Sequence, residues 1–298
     1  LLKNKKLNFY FGFIFDLFKM LKNSQLLKWV GNKHKYAPFI ISHFDKFNNY
    51  FEPFLGSAAV LGHLAPENAL ATDIYKPLID IWKMLSKSPE TVINWYSERY
   101  AILEEMGHKD GYEYIKSNFN KSANAADLLF ISRSCYGGII RFRKLDGYLS
   151  TPCGVHKPIK PEKFSLRANL WSEKISNVEF KVMDFSEAIS NAKNGDLVYC
   201  DPPYIHSQAI LYGGQDFIFA DLVKSLETAI SKGVKVALSI DGTKKSGQDN
   251  CKVEIPLDLF KREIFVPLGA SMLKRFQKSG ENCNDEHVQD RLLLSWEK

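Results

Sequence analysis

The sequence lacks the residue patterns of several common protein classes. It contains five cysteines but no Cys-x-x-Cys pair, and its histidines do not form a pair at metal-ligand spacing. We therefore expect neither a zinc site nor a disulfide framework, and scattered cysteines of this kind are typical of reduced thiols in a cytoplasmic protein. The chain also has no true G-x-G-x-x-G segment, so a dinucleotide site is poorly supported.

Long hydrophobic runs are also missing. A membrane-spanning helix needs about 20 apolar residues, and no such run occurs. The apolar segment 9–18 is short, contains Asp16 and lacks a small-residue cleavage site, so it does not resemble a signal peptide. We expect residues 1–19 to precede the true start at Met20 and to be non-native or dispensable. The expected location is the cytoplasm.

The composition that is present is that of a globular protein with one basic region. The 298 residues are 45% hydrophobic and 25% charged, which is enough to build a full core. The segment from Phe130 to Lys174 has nine Lys or Arg against three acids, and so accounts for the whole formal net charge of +6. A solvated basic face is the simple explanation, but this clustering favours a surface that contacts phosphates.

The most informative stretch is a short apolar strand followed by a stiff turn. Residues 197–200 form a β-favouring run that suits a buried parallel strand. The run ends in Asp201-Pro202-Pro203-Tyr204, where Pro203 biases Pro202 towards extended backbone and neither proline can donate a hydrogen bond. Open α/β sheets bind ligands at the carboxyl ends of their strands, so this turn is a candidate ligand site.

The same turn carries groups that suit an amino-substituted base. The Asp201 carboxylate and the Pro202 carbonyl are adjacent acceptors for an exocyclic NH2 group, and the Tyr204 ring offers a face for stacking. Taken alone, a strand that ends in Asp-Pro is usually only a turn, and a four-residue match recurs by chance. A functional interpretation therefore needs a cofactor site elsewhere in the chain.

A second group of segments has the order of a nucleoside site. Residues 50–60 predict a short strand, a small-residue turn and the start of a helix, and residues 69–73 predict a strand that ends on Asp73. Small residues let the backbone approach a ligand, and the acid suits the two ribose hydroxyls. Four strands of parallel type are predicted to end on acids, namely Asp73, Asp184, Asp201 and Asp241. This series indicates a ligand cleft along one edge of a sheet.

The basic region contains a predicted β-hairpin. Asp146-Gly147 lies between two β-rich runs, which is a good signal for a tight turn. The first run alternates aliphatic or aromatic residues with Arg141 and Arg143. Such a pattern suits a ribbon that is inserted against DNA.

With these segments in order, the chain resembles the Dam-type N6-adenine DNA methyltransferases (D12 class, α-group). The likeness extends from about Lys28 to Trp296. It rests on Lys-Trp-x-Gly-x-Lys at 28–33, Phe-Glu-Pro-Phe-x-Gly at 51–56, the acid-ended strand, an inserted recognition region and Asp-Pro-Pro-Tyr at 201–204. Ala58 and Asn32 stand where the family has glycines, and Gly137 stands where its recognition hairpin has asparagine.

The resemblance implies an S-adenosyl-L-methionine site and roles for individual residues. The catalytic group would be Asp201, Pro202, Pro203 and Tyr204, with Asp201 and the Pro202 carbonyl accepting the N6 amino hydrogens of a flipped adenine. Lys33 would suit the cofactor carboxylate and Asp73 its ribose hydroxyls. The implied cofactor-binding residues are Trp29, Lys33, Phe51, Glu52, Pro53, Phe54, Gly56, Asp73, Ile74, Asp184, Phe185 and Asp201. The implied DNA-binding residues are Arg133, Tyr136, Ile139, Arg141, Arg143 and Lys144.

We therefore predict an α/β fold, with a Rossmann-like S-adenosylmethionine-dependent methyltransferase sheet and an inserted, mainly helical DNA-recognition region that carries a β-hairpin. Residues 20–85 and 165–298 are expected to form the catalytic domain, and residues 86–164 the target-recognition region. The predicted activity is methyl transfer to N6 of adenine in a specific duplex sequence, by base flipping and direct in-line transfer. We expect a monomer that acts on double-stranded DNA, without a metal or a membrane. A cognate restriction endonuclease, as part of a restriction-modification system, is an open alternative to a solitary enzyme.

Rival functions are less well supported by the residues. N4-cytosine DNA methyltransferases share the same chemistry but usually carry Ser-Pro-Pro-Tyr, so Asp201 argues against them. RNA methylation and protein-glutamine methylation are less well supported still, and the latter usually shows Asn-Pro-Pro-Tyr. A DNA-binding pseudoenzyme of the same fold is the alternative from a different class, because Ala58 adds a methyl group in the cofactor motif.

Overall fold

The structure is a computed structural model that describes residues 25–203, 217–241, 243–244, 249–250, 256, 258–269 and 288–297. The expectations for Tyr204, Met20 and residues 1–19 lie outside the described residues. The helices are α1 Ala37–Ile41, α2 Ala59–Leu64, α3 Lys76–Lys87, α4 Pro89–Met106, α5 His108–Lys121, α6 Ala125–Ser134, α7 Pro161–Lys174, α8 Phe185–Ser190 and α9 Phe219–Ser231. The strands are β1 Tyr50–Glu52, β2 Ala69–Asp73, β3 Val178–Val182, β4 Leu197–Cys200, β5 Lys235–Asp241, β6 Thr243–Lys244, β7 Asp249–Asn250, β8 Arg262–Gly269 and β9 Val288–Leu294.

Within these residues, one seven-stranded sheet has the order β3-β2-β1-β4-β5-β9-β8. Strand β1 lies parallel between β2 and β4, while β3 and β5 extend the parallel part on either side. The direction of winding reverses between β1 and β4, which is the switch point where doubly wound sheets bind ligands. This topology confirms the predicted Rossmann-like α/β fold.

The other edge of the sheet is antiparallel. Strand β9 pairs antiparallel with both β5 and β8, so the last strand in the sequence lies between two earlier ones. Its residue Asp290 is opposite Asp241 of β5 and Val266 of β8. Strands β6 and β7 form a separate antiparallel pair.

Alternate residues of the central strands face two hydrophobic cores, as expected for a sheet covered on both sides. On β4, Val198 and Cys200 pack with α8 and α9, whereas Leu197 and Tyr199 face a larger core. The larger core takes residues from α3 to α7, among them Tyr112 of α5. The region 86–164 therefore shares one continuous core with the sheet, and its fold depends on that packing.

Most predicted elements are present, with differences where a single residue changes the local geometry. Residues 77–107 have apolar residues at helical spacing and form two helices, α3 and α4, because Pro89 begins a new helix after Ser88. The strand predicted to end on Asp184 ends at Val182, since Asp184 caps α8 by accepting from the backbone N–H of Ser186. Across the described part of the chain, no helix has the length and apolar character needed to cross a membrane.

The predicted β-hairpin is present around Asp146-Gly147. Arg143 donates its backbone N–H to the carbonyl of Tyr148, and Gly147 at the turn has a positive φ of 65°. Two residues farther from the turn on each side, the N–H of Ser150 donates to the carbonyl of Arg141 at 2.9 Å. These bonds set the register of the two short strands.

The returning strand of this hairpin is fixed to α5, a helix that the sequence left ambiguous. The Tyr112 hydroxyl donates to the carbonyl of Thr151 at 2.8 Å. The Asn120 side chain both accepts from the backbone N–H of Leu149 and donates to its carbonyl. The position of the hairpin is thus determined by polar contacts made from a helix.

Candidate active site

A cavity of about 230 Å³ opens at the switch point between β1 and β4. Every predicted cofactor-binding residue except Phe51 lines it, as do Asp201, Pro202 and Pro203. The sequence did not indicate several other lining residues, including Val30, Ala59, Tyr199 and Phe217. Three of the four acids that were predicted at strand ends, Asp73, Asp184 and Asp201, line the cavity.

The turn after β1 forms one wall, and Gly56 is required for its shape. Gly56 has a φ of +47°, and a Cβ at this position would lie 3.4 Å from two atoms of the Trp29 indole ring. Its N–H donates to the Asp73 carboxylate at 3.2 Å, and its carbonyl accepts from the Trp82 ring N–H at 3.1 Å. Only glycine adopts this backbone conformation without strain while leaving room for the indole.

Ala58 also has a left-handed backbone, with a φ of 53° and a ψ of 32°, and is fully buried. A non-glycine residue in this region costs about 1–2 kcal/mol. Its N–H donates to the carbonyl of Leu55 at 2.8 Å, which closes the turn. The alanine therefore keeps a conformation suited to glycine at a local energetic cost.

Asp73 lies at the end of β2 with both carboxylate oxygens directed at backbone groups of the cavity wall. One oxygen accepts from the N–H of Tyr75 at 3.0 Å, and the other accepts from Gly56. Burial raises the pKa of the Asp73 carboxyl above its ordinary value. A carboxylate has about four acceptor positions, so Asp73 can still accept a hydrogen bond from a ligand hydroxyl group.

An aromatic group forms the opposite wall. The rings of Phe54 and Phe185 are stacked with centroids 5.3 Å apart, and Phe217 meets both rings edge-on at 5.7 Å. Flat apolar surfaces of this kind bind planar heterocycles. Asp184, next to Phe185, is occupied as the cap of α8 and accepts from the Ser186 N–H at 2.9 Å.

Asp201 forms a buried ion pair with Lys33 at the floor of the cavity. The Lys33 ammonium lies 2.7 Å and 2.9 Å from the two carboxylate oxygens of Asp201. The Lys33 side chain is 5% exposed, whereas that of Asp201 is 19% exposed. Burial raises the pKa of Asp201 to about 6, and the adjacent ammonium opposes this rise and keeps the acid ionised at neutral pH.

Lys33 is also in contact with groups that the sequence did not connect to it. Its ammonium lies 3.1 Å from the carbonyl of Gly31 and 3.5 Å from a carboxylate oxygen of Asp290. Burial alone would lower the pKa of Lys33, but Asp201 and Asp290 together raise it above its usual value. Lys33 therefore lines the cavity as expected, with its charge directed at two carboxylates.

The adjacent motif residues Phe51 and Glu52 direct their side chains to different places. Phe51 is buried in the core beneath α8 and α9 and does not line the cavity, because its side chain points to the other face of the sheet. Glu52 does line the cavity and accepts from the Tyr50 hydroxyl at 2.6 Å. Burial raises the pKa of Glu52 to about 8, so this acid is protonated at neutral pH.

The predicted DNA-binding residues in and near the hairpin differ in their exposure to solvent. Arg141, Arg143 and Lys144 are exposed, whereas Tyr136 and Ile139 are half-buried near the foot of the hairpin. Arg143 makes two hydrogen bonds to the Asp146 carboxylate, at 3.0 Å and 2.6 Å, and its guanidinium lies over the ring of Tyr148. Arg143 thus stabilises the turn within the hairpin.

Arg133 does not have the exposure that a DNA contact requires, which corrects the expectation from the sequence. It is 3% exposed, and its guanidinium donates to the carbonyls of Gln25 and Leu26 at 3.1 Å and 2.6 Å. Helix α6, on which it lies, is buried along its whole length. Arg133 therefore fixes the segment that leads into Trp29.

The foot of the hairpin contacts both segments that build the cavity. The ring of Phe142 packs edge-on against the ring of Tyr75, with the centroids 5.8 Å apart. Tyr75 lies two residues beyond Asp73. Gly138 has a φ of +69°, and a Cβ there would lie 2.7 Å from the Cβ of Lys28, next to Trp29. The basic hairpin and the cavity are therefore parts of one surface.

Comparison with known proteins places this arrangement in a family. A family model described as D12 class N6 adenine-specific DNA methyltransferase matches residues 29–255. The chain is 30% identical over 229 residues to the Type II methyltransferase M1.LlaDCHI of Lactococcus lactis subsp. cremoris, covering 71% of this chain and 79% of that protein. It is 32% identical over 189 residues to the Retron Ec67 DNA adenine methylase of Escherichia coli, covering 61% and 64%. It is 29% identical over 230 residues to the DNA N-6-adenine-methyltransferase of Escherichia phage P1, covering 73% of this chain and only 30% of that larger protein.

Proposed function

Because this chain belongs to the D12 class of N6-adenine-specific DNA methyltransferases, we propose that its cavity holds S-adenosyl-L-methionine and presents Asp201 and Pro202 to an adenine flipped out of duplex DNA. The observation that carries this proposal is that Asp201 lines the same cavity as Asp73 and the Phe54–Phe185 pair. One cavity thus brings together acceptors for an amino group, an acid for a ribose and an aromatic wall.

The groups around the cavity fit the cofactor chemically. Asp73 suits the ribose hydroxyls, because it lines the cavity and its carboxylate is a hydrogen-bond acceptor. Phe185 and Phe54 suit the adenine ring of the cofactor. Three aspartates and one lysine, Lys33, line the cavity, and this excess of acidic side chains favours a cationic sulfonium ligand. When bound, S-adenosyl-L-methionine supplies an electrophilic methyl group for direct in-line transfer.

The protein's own part in the reaction is to bind and orient the target base. Flipping a base out of the duplex costs a few kcal/mol, which the pocket must offset with hydrogen bonds and stacking. Asp201 and the Pro202 carbonyl accept the two N6 hydrogens, which holds the nitrogen lone pair towards the methyl group. The negative charge of Asp201 stabilises the positive charge that develops on N6. The remaining member of the motif, Tyr204, is proposed to stack on the base.

The direct test of this proposal is transfer of a labelled methyl group to duplex DNA. The purified protein, incubated with S-adenosyl-L-methionine and genomic DNA that lacks N6-methyladenine, is expected to yield labelled N6-methyladenosine derivatives after digestion to nucleosides. Label in N4-methylcytosine would contradict the adenine assignment. DNA binding without any methylated product would support the pseudoenzyme instead.

The rate should depend on the protonation of Asp201. Only the ionised form of Asp201 both accepts an amino hydrogen and carries negative charge, so kcat/KM is expected to be constant at neutral pH. It should fall about tenfold for each unit below the Asp201 pKa, which burial raises to about 6. A pH–rate profile with labelled cofactor measures this acidic limb. An unchanged rate at pH 5 would show that the Asp201 charge is not used.

Two hairpin residues are expected to differ in what they contribute to DNA recognition. Arginine reads guanine through two parallel hydrogen bonds, worth about 1–3 kcal/mol of discrimination, whereas phosphate contacts carry no sequence information. Exposed Arg141 is the proposed reader and exposed Lys144 the proposed phosphate contact. We expect Arg141→Ala to relax discrimination at one base pair. Lys144→Ala should weaken binding to all duplexes equally and lower the salt dependence.

Binding of each variant to the cognate duplex and to singly substituted duplexes measures the difference. Arg143→Ala serves as the matched control, because its guanidinium is already paired with Asp146 inside the hairpin. If Arg141→Ala weakens every duplex by the same factor, the hairpin does not read sequence through this residue.

A further inference from the structure

Lys33 lies between two carboxylates, and only one of them reaches the cavity. Its ammonium is 2.7 Å from Asp201 and 3.5 Å from Asp290. Asp290 is 3% exposed and is not among the described residues that line the cavity. It is therefore placed behind Lys33, where it cannot touch the adenine or the cofactor.

The fold holds Asp290 in this position rigidly. It is near the centre of β9, hydrogen-bonded in register between β5 and β8. Its neighbour on the same strand, Arg291, is paired with Glu263 of β8, and because successive side chains of a strand point to opposite faces, this ion pair lies on the face opposite to Asp290. A buried acid is costly unless it compensates another charge.

The charges around Asp201 explain why a second carboxylate is useful there. Lys33 is close enough to cancel most of the negative charge that Asp201 offers to the substrate. Glu52 does not restore this charge, because burial raises its pKa to about 8 and leaves it protonated at neutral pH. Among the described residues, the remaining charged group near the pair is Asp290; Tyr199, which also faces Asp201, is a neutral phenol hydrogen-bonded to Ser239.

The chemistry of the proposed reaction needs that negative charge. In the proposed transfer, the N6 lone pair would form a bond to the methyl carbon as the carbon–sulfur bond breaks and its electron pair stays on sulfur. Positive charge would develop on N6, which would then release one proton to solvent. With Lys33 uncompensated, Asp201 and Lys33 together are neutral and stabilise this charge poorly. With Asp290 present, the three groups carry one net negative charge.

Resting on the function proposed above, we propose that Asp290 is a positioning residue for methyl transfer: its carboxylate balances and anchors Lys33, so that Asp201 keeps its negative charge for the adenine amino group. Asp290 acts entirely through Lys33 and Asp201. It makes no contact with the reacting atoms.

The test compares Asp290→Asn with the wild-type protein in single-turnover transfer of a labelled methyl group to genomic DNA. At pH 7.5 and saturating cofactor, we expect the rate to fall about 10- to 100-fold, the scale expected for one charge a few ångströms from a reacting group. Asp290 is also one of the groups that raise the pKa of Asp201. The acidic limb of the variant is therefore expected to move to lower pH, even though its plateau rate is lower.

Two further variants separate this role from simple damage to the fold. Glu263→Gln removes an acid from the neighbouring strand β8, where the side chain is partly exposed, and is expected to leave the rate and the acidic limb unchanged. Asp290→Glu keeps a carboxylate at this position of β9, at the cost of one extra methylene. We expect this variant, at saturating cofactor, to transfer methyl groups faster than Asp290→Asn.

Each outcome decides the inference. An Asp290→Asn variant as fast as wild type overturns it, and so does a slower Asp290→Asn variant whose acidic limb stays in place. If Asp290→Asn does not fold, an Asp290→Glu variant that folds and is no more active than background also overturns it. A wild-type protein without activity would instead contradict the proposed function, so the two failures are distinguishable.

Discussion

Asp201→Asn is expected to lower the rate of methyl transfer by at least about 10²-fold, the usual scale for losing a positioned polar group that acts in the transition state. The amide has the same size, but it lacks the negative charge and directs an NH2 group either at Lys33 or at the substrate amino group. Binding of S-adenosyl-L-methionine should be much less affected, because Asp73 and the Phe54–Phe185 pair are untouched.

The structure also shows that Asp201→Asn is a better test of the role of Asp201 than Asp201→Ala. The sequence suggests that Asp201→Ala would leave folding intact, since a side chain at the end of a strand contributes little to the core. Asp201 is instead half of a buried ion pair, and removing one partner of such a pair costs about 3–5 kcal/mol. Asn fills the same space, and Asp290 still partners Lys33. Single-turnover rates, with melting temperature as the control, measure the effect; substantial activity would show that the amino group is polarised by another residue.

Asp73→Ala is expected to weaken S-adenosyl-L-methionine binding by about 10- to 100-fold, because hydrogen bonds to a charged group contribute roughly 1.5–3 kcal/mol each. The loss has two sources. The proposed contacts to the ribose hydroxyls disappear, and the N–H groups of Gly56 and Tyr75 lose the acceptor that shapes the cavity wall. The rate at saturating cofactor should remain near that of wild type, unlike the rate of Asp201→Asn.

Calorimetry with S-adenosyl-L-methionine alone measures this affinity without any requirement for DNA. Asp73→Asn should lie between wild type and alanine, because the amide oxygen can still accept from one backbone N–H. Asp80→Asn is the matched control, since it removes an exposed acid of α3 that pairs only with Lys76. Equal affinity for wild type and Asp73→Ala would place the cofactor ribose elsewhere.

The local sequence patterns correctly predicted those elements of the fold that are determined by residues close together in the sequence. The run 197–200 became β4 with its bounds unchanged, because four consecutive buried apolar residues followed by Asp-Pro define both the strand and its end. The acid-ended strand 69–73 was correct for the same reason. The hairpin followed from Asp146-Gly147, since the turn itself determines the pairing of the flanking residues.

Features that depend on distant residues were not accessible from these patterns. Lys33 and Asp201 are 168 residues apart, and only the completed sheet brings them together. Arg133 matched a motif that the resemblance assigns to DNA, but burial of α6 directs it at the carbonyls of Gln25 and Leu26. Phe51 stands within a cofactor motif, yet the alternation of side chains along β1 turns it to the opposite face.

The position of β9 has a consequence for how the protein is made. During synthesis on the ribosome, domains fold from the N-terminal end as the chain emerges. Strand β5 then has an unpaired edge, and β8 emerges before the strand that joins it to the sheet. Only insertion of β9 between them closes the edge and delivers Asp290 to Lys33. A nascent chain that ends before β9 therefore contains all the sequence motifs that line the cavity but lacks Asp290, the second carboxylate beside Lys33.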